Sequence, residues 1–351
     1  MVRSLCVAEF RIPLHRPLST ARGTVSHRRI VLVGIEESGV IGWGEAAPYP
    51  GVTPESTDDV WRALRDEGLA MMGDKAPAVP VTAAAAIDQA LEDLAARRGG
   101  ESLTARLGGS IRSVRACAAV GLEGSPAETV DRVGQAVEAG IREVKIKIEP
   151  GRDLHYLQAV RDRYPDLAVA ADANGSYRIG DPFLDVVDGL ALSYLEQPLA
   201  PDHLAGHSSL RGRLATPVCL DESTTTSAGA RVAMEDGVAD IISLKPGLLG
   251  VSAVRRLLER AERAGVVIKI GGLVETSVGR AHALALATRP LVQFTDLVPP
   301  LWLLAGDVSP HPWRLVDGYL SPPEGPGLGV KIDPLGGTGA RYLVRAQTVR
   351  R

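Results

Sequence analysis

The segment EVKIKIEP (residues 143–150) is followed at regular intervals by AVAADANG (168–175), YLEQPL (194–199), VCLDES (218–223) and ISLKPG (242–247). Each is a short apolar run that ends on a charge. The charges, Lys147, Asp172, Glu196, Asp221 and Lys245, are separated by 25, 24, 25 and 24 residues, the length of one strand-plus-helix unit. Similar apolar runs at 115–121, 217–220, 240–244, 266–270 and 291–295 join those at 143–148, 167–171 and 191–195 to make eight expected strands. The intervening segments read as amphipathic helices. In residues 125–139, Ser125 is the expected N-cap, Pro126 takes the first helical position, Glu128 closes a capping box and Gly140 is the stop. Strands alternating with helices specify a parallel sheet, and eight such units with right-handed crossovers close into a barrel. The expected fold is therefore α/β, a TIM-like (β/α)8 barrel over residues 113–300.

Residues 1–112 have a different texture and are expected to form an α+β unit. Strands are expected at 4–14, 28–37 and 40–45, with Ser38-Gly39 as a tight hairpin turn, then helices at 55–72 and 82–98 stopped by Gly99-Gly100. Residues 301–351 are rich in Pro and Gly with short β-like pieces such as 328–332, and are expected to pack back on that unit.

Composition bounds the function. Charged residues make up 23% and hydrophobic ones 45%, an ordinary globular balance. Lys+Arg number 39 against 42 Asp+Glu, net −3, without a basic run, so neither nucleic acid nor an anionic membrane is an expected partner. No apolar run is long enough to span a bilayer and no signal-peptide order opens the chain, which makes the cytoplasm the default address. Cys6, Cys117 and Cys219 lie more than a hundred residues apart, as reduced and packed thiols would.

The active site of such a barrel lies at the C-terminal ends of its strands, where the repeated charges fall. Asp172, Glu196 and Asp221 would point from adjacent strand ends toward one spot and repel one another unless a cation held them. Oxygen ligands without His or Cys favour a hard divalent ion, Mg²⁺ first and Mn²⁺ second. Lys145 and Lys147 alternate with apolar residues, so both share one strand face and point into the barrel mouth. Neighbouring cations would lower a lysine toward a pKa usable near neutrality. With Lys245 facing them from across the barrel, the pattern points to proton removal next to a carboxylate, the metal stabilising the enediolate.

These residues, with TARG at 20–23, GWGEAAP at 42–48, DANGSY at 172–177 and GGLVET at 271–276, resemble the enolase superfamily. Within its muconate-lactonizing subgroup, the likeness is to the o-succinylbenzoate synthases and their N-succinylamino acid racemase relatives. The superfamily's use of a Lys or His base with Mg²⁺ comes with that resemblance. The resemblance implies a barrel with an N-terminal capping domain, Asp172, Glu196 and Asp221 as metal ligands, and Lys147 as the acid/base. Lys145 would assist Lys147 and contact a substrate carboxylate. Lys245 would be either a second acid/base or an electrostatic support. Asn174, Glu222 and the segment Gly272, Leu273 and Glu275 would line the substrate site, and the loop with Thr20 and Arg22 would close over it. The partner implied is a small carboxylate substrate, and barrels of this family often assemble as homo-oligomers.

The synthase reaction dehydrates 2-succinyl-6-hydroxy-2,4-cyclohexadiene-1-carboxylate to o-succinylbenzoate in menaquinone synthesis, and needs a base on one face only. Racemising relatives usually follow the KPG with Arg, where this chain has Leu248. Dipeptide epimerases carry Asp-x-Asp after the eighth strand, where this chain reads Asp296-Leu297-Val298. Both departures favour the synthase, a lyase, over the racemase and epimerase readings, which stay open. A barrel that merely binds carboxylates would have lost some of its five repeated charges, and none is missing.

Overall fold

The computed structural model describes residues 2–20, 23–72, 79–110, 112–311, 313–333 and 339–348. Strands β1 (Val2–Thr20), β2 (Gly23–Glu37) and β3 (Val40–Ala46) form an antiparallel sheet. Ser38 and Gly39 both take left-handed backbone (φ 56° and 81°), the two-residue turn whose twist matches a hairpin. Helices α1 (Thr57–Glu67) and α2 (Val81–Gly99) cover one face. The first is shorter than expected, and a reciprocal Ser56–Asp59 capping box starts it. Helix α2 lies directly on β3. A Cβ at Gly44 would stand 2.0 Å from the Ala86 carbonyl oxygen, which is why GWGEA carries glycine on the face toward the Ala-rich helix.

The barrel strands are β4 (Cys117–Val120), β5 (Glu143–Lys147), β6 (Ala168–Asp172), β7 (Leu195–Glu196), β8 (Val218–Leu220), β9 (Ile241–Leu244), β10 (Val267–Ile270) and β11 (Val292–Thr295). They pair in sequence order as a parallel sheet. The Cys117 N–H donates to the Leu297 carbonyl at 3.0 Å, and Thr295 Oγ1 to the Arg115 carbonyl at 2.9 Å, bridging the seam between the last strand and the first. Around this ring lie α3 (Pro126–Glu138), α4 (Leu154–Arg163), α5 (Leu204–Arg213), α6 (Ser227–Glu235), α7 (Val251–Ala264) and α8 (Ser277–Ala287). Ser125 caps α3 through the Glu128 N–H and Gly140 takes φ 90° just past its end, as the sequence implies. The expected return bond from the Glu128 side chain is not among the contacts at this cap.

Several boundaries differ from expectation, and β1 and β2 run longer than the expected 4–14 and 28–37. Strand β7 starts at Leu195 instead of 191, because Ala191 adopts left-handed backbone (φ 49°) and cannot enter the ladder. Strand β4 starts late because Val114–Arg115 pairs instead with Tyr319–Leu320. Residues 328–332 are irregular. The C-terminal pairing is made by β12 (Gly339–Thr348), which runs antiparallel to β1 from Val2–Thr348 to Phe10–Gly339. Among the described residues no helix is long and apolar enough to cross a membrane.

Candidate active site

Strand β5 turns Val144 and Ile146 toward the helices and Lys145 and Lys147 into the barrel, as period-two alternation requires. Register puts the groups at one height. Lys147 pairs across the sheet with Asp172, and Asp172 with Glu196. Lys147 Nζ donates to Asp172 Oδ2 at 2.7 Å and to Asn174 Oδ1 at 2.7 Å. Deeper in, Lys145 Nζ reaches Glu196 Oε1 at 2.9 Å, Asp296 Oδ2 at 3.1 Å and Asp172 Oδ2 at 3.1 Å. Across the barrel, Lys245 pairs with Asp221.

Backbone shape fixes these strand ends. Asn174 and Gln197 take left-handed φ (46° and 40°), turning the chain sharply just after Asp172 and Glu196. Gln197 Oε1 accepts from the Asp221 N–H at 2.9 Å and the Ser223 N–H at 3.2 Å, so one buried amide ties the end of β7 to that of β8. Asn174 Nδ2 donates to Glu222 Oε1 at 2.9 Å. Beneath them lies Lys269, fully buried, 2.6 Å from Asp296 Oδ2 and 3.2 Å from Glu196 Oε2.

The electrostatics follow from this crowding. Burial alone would lower the Lys145 ammonium, but Asp172, Asp296 and Glu196 raise it well above the usual lysine range. Lys245 is likewise raised against its burial by Asp221 and Glu222. The sequence suggested lysines lowered by neighbouring cations. In the folded barrel each of these two ammonium groups touches carboxylates, and attraction outweighs repulsion. Burial pushes Glu196 up to about 7 in spite of Lys145 and Lys269, and raises Glu222 as well, with Asp221 and Asp172 adding to it.

The cavity above these groups is walled by Lys145, Lys147, Asp172, Asn174, Asp221 and Lys245 on the barrel side. Gly272, Leu273 and Val274 border it after β10, and Leu18, Tyr49 and Val52 reach over from the N-terminal unit. Val274, a β-branched residue, is held at φ 60°. Glu275 is buried but does not line this cavity. Its carboxylate lies 3.6 Å from Arg280 Nη2, which bridges back to the Asp296 carbonyl through Nη1 at 3.1 Å. Thr20 ends β1, with a side chain outside the described set, and Arg22 lies outside the described residues. The N-terminal unit also grips the barrel at α8. Glu45 accepts from the Thr276 N–H at 3.0 Å, Thr276 Oγ1 at 2.5 Å and the Gly279 N–H at 2.9 Å.

Sequence reasoning missed Lys269, although VIKI repeats the signal that exposed Lys145 and Lys147: a lysine inside an otherwise apolar strand. Arg280, Tyr49 and Val52 carry no local signal, because only folding brings them to the mouth.

As to the expected metal, among the described residues no three acid, His or Cys side chains are gathered so as to hold an ion. Asp172, Glu196 and Asp221 each turn to a lysine instead. The donor set nevertheless fits a hard divalent cation: buried carboxylate oxygens from three adjacent strand ends. With Glu222 and Asp296 these make five carboxylates facing Lys145, Lys147, Lys245 and Lys269; burial first, and then the neighbouring Asp172 and Asp296, raise Glu196.

Residues 128–335 match the family model described as "Enolase C-terminal domain-like", and residues 2–108 that described as "Mandelate racemase / muconate lactonizing enzyme, N-terminal domain". The chain is 30% identical to the o-succinylbenzoate synthase of Geobacillus stearothermophilus over 365 residues, covering 95% of this chain and 94% of that one. It is 38% identical to the N-succinylamino acid racemase of Thermus thermophilus over 253 residues, 71% and 69% of the two chains. Its fold superposes with a TM-score of 0.86 on the substrate-liganded L-Ala-D/L-Glu epimerase of Bacillus subtilis, at 27% identity over 96% and 99% of the chains. With both halves matched, and with lysines facing each other over three strand-end carboxylates, this chain belongs to the enolase superfamily, in its mandelate racemase and muconate lactonizing branch.

Proposed function

We propose that this protein removes a proton next to a substrate carboxylate, and that the reaction is the dehydration yielding o-succinylbenzoate, a carbon–oxygen lyase step of menaquinone synthesis. The observation that carries it is that Lys147 and Lys245, from opposite strands of the barrel, line one cavity together with Asp172, Asp221 and Asn174. Asp172, Glu196 and Asp221 would hold Mg²⁺, or Mn²⁺ in its place. When bound, the ion would supply positive charge to the substrate carboxylate as it becomes an enediolate.

In this reading the neutral Lys147 amine takes the proton from the ring carbon that bears the carboxylate, and the C–H electron pair enters the enediolate. Collapse of the enediolate expels the ring hydroxyl, Lys147 returns its proton to it, and water leaves as the aromatic ring forms. Asn174 orients Lys147 through its side-chain oxygen. Lys145 and Lys245 supply fixed positive charge on either side. Leu248, buried after Lys245, stands where racemising relatives usually have Arg, which supports a charge-stabilising Lys245 over a second base.

Racemisation of N-succinylamino acids is the second reading, favoured by the position of Lys245 opposite Lys147 and by the 38%-identical racemase. The deciding experiment follows loss of the cyclohexadiene absorbance with Mg²⁺, beside polarimetry on N-succinylamino acids. Rapid dehydration with negligible racemisation supports the synthase, and efficient racemisation without dehydration overturns it. Lys147→Ala should cost roughly 10²–10⁴-fold in rate and Lys245→Ala roughly 10²–10³-fold. Activity that survives exhaustive EDTA treatment would contradict the metal assignment.

A further inference from the structure

Beside the reaction cavity lies a second hollow, lined by Leu14, Arg16, Pro17, Leu122, Glu123 and Arg132. The two adjoin, with Leu18, Ala119, Val274 and Leu303 bordering both. Those shared walls are apolar, whereas the far end carries two guanidinium groups from different parts of the fold. Arg16 comes from β1 of the N-terminal sheet, and Arg132 from α3, the first helix of the barrel.

Arg132 is half-buried. It donates to Gln135 Oε1 at 2.7 Å and lies over the Trp302 ring, 5.5 Å from its centroid. Among the described residues neither arginine has a carboxylate within ion-pair distance. Glu123 is the carboxylate that shares the hollow with them, while Glu128 and Asp131 are exposed and border the arginines on the outer side. Burial first, and then Arg16, lower the Arg132 guanidinium. Arg16 is exposed and Arg132 half-buried, and with no acid among the described residues at ion-pair distance both guanidinium groups are left to meet an anion that enters the hollow.

We propose that this hollow is the subsite for the distal carboxylate of the substrate's acyl arm, with Arg132 as its principal partner and Arg16 as the second. The apolar collar of Leu18, Ala119, Val274 and Leu303 suits the methylenes of a succinyl arm, and a guanidinium fork suits the carboxylate at its end. This assignment rests on the reading of a proton-abstracting enzyme whose substrate carries a succinyl group.

The test compares N-succinyl-phenylalanine with its N-(4-methylpentanoyl) counterpart, which matches the arm in shape but has no charge. Calorimetry gives the Kd of each, and α-proton exchange in D₂O gives kcat and KM. In Arg132→Gln, Kd and KM for the succinyl compound should rise about 10- to 100-fold, with kcat and the uncharged compound little changed. Arg16→Gln should show the same selectivity more weakly, and Arg132→Lys should restore part of it. Equal losses for both compounds, or an unchanged Kd for the succinyl one, overturn the subsite. If the wild type binds the succinyl compound with an Arg132-dependent Kd yet exchanges no proton, the subsite stands and the proton-abstraction reading fails. If the wild type binds neither compound, the subsite is overturned as well.

Discussion

Lys269 shows how much one side chain can hold. A lysine with no solvent exposure survives only because Asp296 and Glu196 hydrogen-bond it, and those acids in turn depend on its charge. Lys269→Met leaves Glu196 and Asp296 to share the single ammonium of Lys145 and should destabilise the protein by about 3–5 kcal/mol, read from urea denaturation. Adding Asp296→Asn should recover a large part of that loss, because one of those two charges then goes with its partner. A midpoint for Lys269→Met equal to the wild type would show that the ammonium contributes nothing. The same logic explains why Lys145 and Lys147 were legible and Gln197 was not. A lysine in an apolar strand is an anomaly that needs a site, whereas a glutamine after a strand is ordinary until folding brings the Asp221 N–H against it.

Among the elements, α8 depends on a residue more than two hundred positions away. Its N-terminus is held by Glu45 from β3, and Ser277 in its first turn by Asp307, so the N-terminal unit and the segment after the barrel both fix the helix that follows Gly272–Val274. A negative charge at a helix N-terminus is favourable, yet burial pushes Glu45 up to about 7 despite its three donors. A carboxyl raised in the folded state binds a proton that the unfolded chain has released. Its contribution is therefore fully present below the ordinary value of 4.5 and is lost as pH rises through about 7. Glu45→Gln cannot ionise, so its melting temperature should fall less than that of the wild type between about pH 5 and 8. Parallel pH profiles for the two proteins would remove Glu45 as the source. His282 in the same helix titrates in the opposite sense. Burial lowers it to about 4 while its Nε2 donates to the Trp43 carbonyl at 2.9 Å, so it contributes stability that is lost only on acidification.

Over the whole molecule, the two chain ends meet. Strand β12 covers the edge of β1, pairing it from Val2–Thr348 to Phe10–Gly339. An uncovered edge of that length is a template for pairing with another chain. Ending the chain before residue 339 should lower the melting temperature and promote aggregation, seen by light scattering. The reaction rate per folded molecule should be kept, because this strand contributes nothing to the cavity wall. A truncated protein that melts and scatters like the full chain would show that the edge needs no cover.

The sequence by itself determined the barrel and the ring of charges around its mouth. Strand alternation and the near-constant unit length are local periodicities, and a parallel barrel converts them directly into one circle of strand ends. The hairpin at Ser38-Gly39 and the helix start at Ser125 were equally local, and they stand as read apart from the return bond expected of Glu128. Only the tertiary structure decided which ammonium each carboxylate meets, and hence that Lys145 is raised where neighbouring cations alone would have lowered it. It alone brought Tyr49, Val52 and Arg280 to the mouth, turned Glu275 away from the cavity and set a second hollow beside the first. These contacts join residues distant in sequence, and a side chain's charge state depends on everything packed around it, which no local pattern encodes.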